Sequence, residues 1–194
     1  MITMESNIKS IYRKNESNRI LQGDILNNVK IPIYDGQLKI IESGYLVILT
    51  QDCDLNQDYN SHEDILEIDA DKDISSFYNK MLPSILLCPA YPADQLREGI
   101  HLQFLDMPMS KISKPSRTPW KNILKNETPR YHFLEQCDAF GISDMVLDFK
   151  RHYSLSRDYL YSIYNECYCI SLNELYREDL SNRFYNYHSR IGLP

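Results

Sequence analysis

No stretch of this chain approaches the run of about 20 apolar residues that a transmembrane helix requires, so a membrane span is not expected. The opening segment, Met1 to Ser10, has no long apolar run and carries Glu5 early, which argues against a secretory leader. Cationic excess is also missing. The formal charge is −6, so the chain as a whole repels nucleic acid, and any such binding needs a local basic patch. Cysteines number five, an odd count; without a leader they point to a reducing compartment, the cytoplasm, and to free thiols. A second cysteine pair is lacking. Cys167-Tyr168-Cys169 would be half of a zinc site, but Cys88 and Cys137 stand alone, so buried thiols are the simpler expectation. Internal repeats and low-complexity tracts are absent too.

What is present describes an ordinary folded domain. The length of 194 residues suits one domain, and 43% hydrophobic with 25% charged residues lies near globular averages. Tyrosine is abundant, at 15 against one Trp, and such rings suit either a core or an adhesive surface. Residues 1–18 read as a polar lead-in with at most one helical turn. A single α+β domain is expected over 19–194, barrel-like over 19–150 and helical over 151–194. The clearest strand is Tyr45 to Leu49, a short apolar run opened by Gly44 and buried on both faces. Further strands are expected at Ile20 to Val29, Ile65 to Ile68, Ser84 to Cys88, Ile100 to Leu105, Arg130 to Leu134 and Met145 to Phe149. Asn56 to Asn60 reads as loop. Pro92 to Gly99 reads as a short helix ended by glycine, and Thr118-Pro119 as a helix start. Ser156 can cap a helix through Ile163. Ser171-Leu172-Asn173-Glu174 fits a capping box before a helix carrying Leu175, Leu180, Phe184 and Tyr187, stopped by Gly192 and Pro194. Strands first and helices afterwards argue for a small bent antiparallel sheet.

The sharpest chemical segment is Thr50-Gln51-Asp52-Cys53-Asp54, at the end of the apolar strand, where a rigid sheet can aim side chains. Cys53 lies between two carboxylates, which disfavour its thiolate unless a histidine, a base or a metal offsets them. A metal at Cys53 and Asp54 would use thiolate and carboxylate together; no other cofactor is indicated. The alternative is that an Asp caps the next turn while Cys53 fills space. His132 would approach Cys53 if its strand paired with Tyr45 to Leu49. Lys111 to Arg130 is basic around Trp120, with Lys121, Lys125 and Arg130 able to meet a single-stranded nucleic acid or an acidic partner. A solvated connection accounts for the same residues. Arg183, Asn186 and Arg190 share one face of the last helix, placed to bind phosphate or to pair with acids such as Asp179.

Arg19 to Leu26 and Gly44 to Thr50 resemble the opening of the PemK and MazF growth-inhibitor toxins, in which Gly-Asp-Ile starts one strand and an apolar strand ends in Ser or Thr. The resemblance covers about a quarter of the chain and implies an SH3-like barrel that cleaves RNA, with Thr50 at the Ser/Thr position. The toxins' catalytic Arg-Pro has no counterpart: Glu42-Ser43-Gly44 stands there, leaving no cation to stabilise a phosphate. Over its whole length the chain resembles an uncharacterised bacterial family with Gly23-Asp24-Ile25, Thr50 to Leu55 and a C-terminal Arg190-Ile191-Gly192-Leu193-Pro194. That resemblance implies a barrel-like domain closed by C-terminal helices, and by association a toxin–antitoxin or anti-phage setting. The expected function is a non-catalytic module that binds a partner protein, or nucleic acid through 111–130, using Gln51, Asp52 and the basic residues. The alternative is an enzyme, a nuclease or a Cys53-centred hydrolase.

Overall fold

The computed structural model describes residues 10–67, 73–112 and 117–189. It is an α+β fold built on a curled antiparallel sheet, with two helices near the C-terminal end of the described chain. The sheet runs β1 (Tyr12–Arg13), β10 (Tyr168–Leu172), β2 (Asp24–Leu26), β5 (Tyr45–Ile48), β6 (Ser84–Pro92), β8 (Met145–Asp148) and β7 (Tyr131–Leu134), while β9 (Tyr153–Ser156) also pairs with β6. A separate hairpin, β3 (Lys30–Tyr34) with β4 (Leu38–Glu42), stands beside it.

The continuous apolar run of β5 does what such a run predicts. Tyr45 and Val47 point into one core with Ile25, Leu147, Phe149 and Leu180; Leu46 and Ile48 point into the other with Ile20, Leu26, Leu87 and Leu160. β5 is thus a central strand, between β2 and β6. Strand β6 is longer than Ser84 to Cys88, because it continues through Pro89. One edge of β6 pairs with β5, and the other pairs first with β9, at Ser84–Leu87, and then with β8, at Ala90–Pro92. Pro89, which has no N–H to give, stands where that second edge changes partner.

Six helices complete the described fold: α1 (Asp52–Leu66), α2 (Ser75–Tyr78), α3 (Ala93–Glu98), α4 (Arg117–Leu124), α5 (Arg157–Cys167) and α6 (Glu174–His188). Helix α3 ends at Gly99, whose φ of +74° and contact with the Met109 carbonyl leave no room for a Cβ. Ser156 occupies the position before α5, as expected, although its side chain makes no capping bond.

Several elements differ from expectation. Asn56 to Asn60 and Ile65 lie in helix α1, and Ile68 lies outside the described residues. Helix α1 has no apolar stripe: beside Leu55, its fully buried residues are Asp58 and Ser61. The Asp58 carboxylate accepts from Leu82 N at 2.8 Å and from Arg157 Nε at 2.9 Å, so the helix is docked by charge and hydrogen bonds that periodicity does not register. Ile100 to Leu105 is a turn and a 3₁₀ turn (Gln103–Leu105), not a strand. Thr118 falls inside α4, so it does not cap the helix. Ser171 is a strand residue; Asn173 caps α6 instead, its Oδ1 accepting from Glu174 N at 2.8 Å. Tyr12 and Arg13, expected in an unpaired lead-in, pair with Leu172 and Ser171. The expected helical end contains β9 and β10, both in the main sheet. Gly192 and Pro194 lie outside the described residues.

Candidate functional site

The segment that stands out in the sequence is largely consumed by the fold. Thr50 Oγ1 accepts from Leu86 N at 2.7 Å, closing the ladder beyond β5. Asp52 opens α1, and its carboxylate takes both guanidinium nitrogens of Arg19, at 3.0 and 2.9 Å, with Arg177 at 3.4 Å. These cations hold its carboxyl below the usual range, against the opposing effect of burial. Gln51, Cys53 and Asp54 are exposed; the Cys53 thiol lies 3.6 Å from Gln51 Oε1 and from Asp54 Oδ1. His132 is elsewhere. It is buried in β7, three places from β5 in the sheet order, against Phe149. Burial and the nearby Arg183 push its pKa down to about 3, so it stays neutral. The expected approach of His132 to Cys53 does not occur. Among the described residues no cluster of three His, Cys, Asp or Glu side chains could hold a metal ion.

The basic residues separate in the same way. Arg130 forks onto the buried Asp148, at 2.7 and 2.5 Å. Arg183 donates to the backbone carbonyls of Asn126, Thr128 (3.3 Å) and Tyr131 (2.8 Å), pinning α6 to the loop before β7. Lys121 is exposed on α4 and Lys125 just after it, while Trp120 is half-buried under Arg97. Lys114 and Arg190 lie outside the described residues. Gly23-Asp24-Ile25 is a structural knot: the fully buried Asp24 accepts from Leu21 N, Ser171 Oγ and Tyr164 Oη at 2.7, 2.5 and 2.6 Å. Gly23, at φ +83°, brings the chain within 3.1 Å of Leu172 Cβ, measured from where its own Cβ would be.

A different place has the attributes of a binding site. A cleft of about 610 Å³ opens between the β3–β4 hairpin and the sheet, within the size range of ligand pockets. Ile31, Ile33 and Ile41 of the hairpin form one wall, and Phe104 and Leu105 of the 3₁₀ turn form another. Pro89 and Ala90 form its floor, where β6 changes partner. At one end lie His101, Tyr153, Lys150 and Arg151, the last two from the connection between β8 and β9. The His101 ring meets the Gln95 backbone and the Tyr153 hydroxyl meets the Ser43 side chain, whereas Arg151 Nε is buried without a hydrogen bond. Buried polar groups are normally satisfied, so the Arg151 guanidinium is the group here that a partner would complete. His101 is 6% exposed and packs edge-on against Tyr91 at 4.8 Å. Burial lowers its pKa, which favours the neutral ring with one donor and one acceptor nitrogen.

None of these cleft residues is prominent in the sequence. His101 lies in a stretch that reads as strand. The hairpin did leave a trace: Ile31 and Ile33 alternate with polar or exposed positions up to Asp35-Gly36, a turn dipeptide. The chain matches no protein-family model, and no curated protein is similar to it.

Proposed function

We propose that this chain is a non-catalytic binding module whose site is the hairpin cleft, and that the cleft receives an apolar segment of a partner protein. The observation that carries this reading is Arg151, whose Nε is buried without a hydrogen bond in the lining of a largely apolar cleft. Leaving such a group unsatisfied costs about 1–3 kcal/mol, which an incoming acceptor would offset. A protein partner is favoured by the outer face of the hairpin, where Tyr34, Leu38 and Ile40 are exposed side by side with Pro32. Nucleic acid is less favoured, because Arg130 and Arg183 are already engaged within the fold. Catalysis at Cys53 is less favoured too, since its neighbours are an amide and a carboxylate and His132 is buried elsewhere. The setting proposed is a bacterial assembly of the conflict type, on the resemblance of Gly23 to Ile25 and Thr50 to Leu55 alone.

Chemical-shift mapping tests this reading. An equimolar mixture of tetrapeptides with Leu, Ile, Val or Phe in the last two positions should shift the amide signals of Ile33, Ala90 and Ser154. Shifts confined to Gln51, Cys53 and Asp54 would transfer the site to the start of α1 and overturn the proposal.

A further inference from the structure

The charges around the cleft say more about its occupant. The described residues that line it include two cations, Lys150 and Arg151, and no aspartate or glutamate, in a chain whose formal charge is −6. Asp148 lies behind this end, fully buried, but its carboxylate already holds the Arg130 fork and the Lys150 backbone N–H at 3.2 Å. Arg151 Nε stands 3.8 Å from Asp148 and makes no hydrogen bond there. Two guanidinium groups thus face one carboxylate, which leaves one positive charge in excess before Lys150 is counted. Such an excess beside apolar walls calls for a single anionic group on an apolar body. The hairpin adds a second requirement. Among the described residues strands β3 and β4 pair only with each other; β3 turns Pro32, which has no N–H, outward, and its Lys30 carbonyl accepts from Tyr159 Oη at 2.7 Å, so the outer edge of β4 is the one open to an added extended segment.

We infer that the cleft captures the C-terminal end of a partner protein: an extended apolar terminus whose α-carboxylate is held by Arg151 and Lys150. This inference rests on the cleft reading above and adds the identity of the head group. A carboxylate needs two or three donors, which Arg151 and Lys150 can supply. A phosphate would bring more charge and more acceptor oxygens than these two side chains match.

The test compares the same tetrapeptide mixture, dansylated at the N-terminus, as free acids and as C-terminal amides, by fluorescence anisotropy. The free acids should bind at least about tenfold tighter, the equivalent of one charge-assisted contact. Arg151→Gln should remove most of that difference while leaving amide binding in place. Lys150→Gln, at an exposed position, should narrow it by about threefold and serves as the readout if Arg151→Gln does not fold. Equal binding of acids and amides by the native protein would overturn the head-group inference and leave the cleft reading standing. Binding of neither would defeat both. Binding of decanoate without binding of the free-acid peptides would point to a fatty acid and overturn the assignment to a protein terminus.

Discussion

The start of α1 and the polar part of the cleft are both rich in polar and charged side chains, yet they differ in what those side chains do. At the start of α1, Asp52 is held by Arg19 and Arg177, and Thr50 by the backbone of Leu86. At the cleft, Arg151 Nε is buried with no hydrogen bond. The first arrangement fixes where a helix begins. The second holds unmet hydrogen-bonding capacity in a concave apolar setting, which is what a ligand can use. A run of polar residues in a sequence therefore marks chemistry of some kind; whether it faces inward to the fold or outward to a ligand depends on partners that come from distant positions.

Three substitutions would sharpen or break this contrast. The largest effect is expected at Asp148→Asn, behind the cleft, where removing a fully buried charge leaves the Arg130 guanidinium unmatched. Urea denaturation should show a loss of about 3–5 kcal/mol, and a loss under about 1 kcal/mol would mean that the Arg130 fork contributes little. Asp52→Asn should cost about 1–2 kcal/mol, because that carboxylate is partly exposed and its ion pairs are screened, and peptide binding in the cleft should be unchanged. If Asp52→Asn abolished binding without lowering stability, the two regions would exchange roles. The smallest effect is expected for Cys53→Ser. With an exposed thiol and only long contacts to Gln51 and Asp54, the melting midpoint should move by less than about 0.5 kcal/mol equivalent, with no change in anisotropy titrations.

Much of the fold was legible because it follows from burial. Strand β5 is an unbroken apolar run since both its faces meet a core, and α3 ends at Gly99 since only glycine fits there. Helix α1 was illegible for the converse reason: its inward side carries Asp58 and Ser61, and the cation that meets Asp58 is Arg157, 99 positions later in the chain. Asp52 was legible as a polar residue at a strand end but not as the partner of Arg19 and Arg177. The cleft could not be read at all from spacing. Its walls come from a hairpin at residue 30, a turn at residue 104 and a connection at residue 150, and only the curl of the sheet brings them together.

The change of partner along one edge of β6 bears on how this molecule can diverge. Residues 149–152 join β8 to β9; Phe149 is fully buried in the core and its N–H still reaches the Arg130 carbonyl at 3.0 Å. The two positions after it, exposed Lys150 and half-buried Arg151, belong to no strand. A lineage could reverse the charge of the cleft, lengthen this connection or replace its cations while every strand pair stayed in place. On the proposed reading, recognition draws on residues that no strand pair needs, so descendants of one scaffold could come to bind chemically opposite partners without passing through an unfolded ancestor.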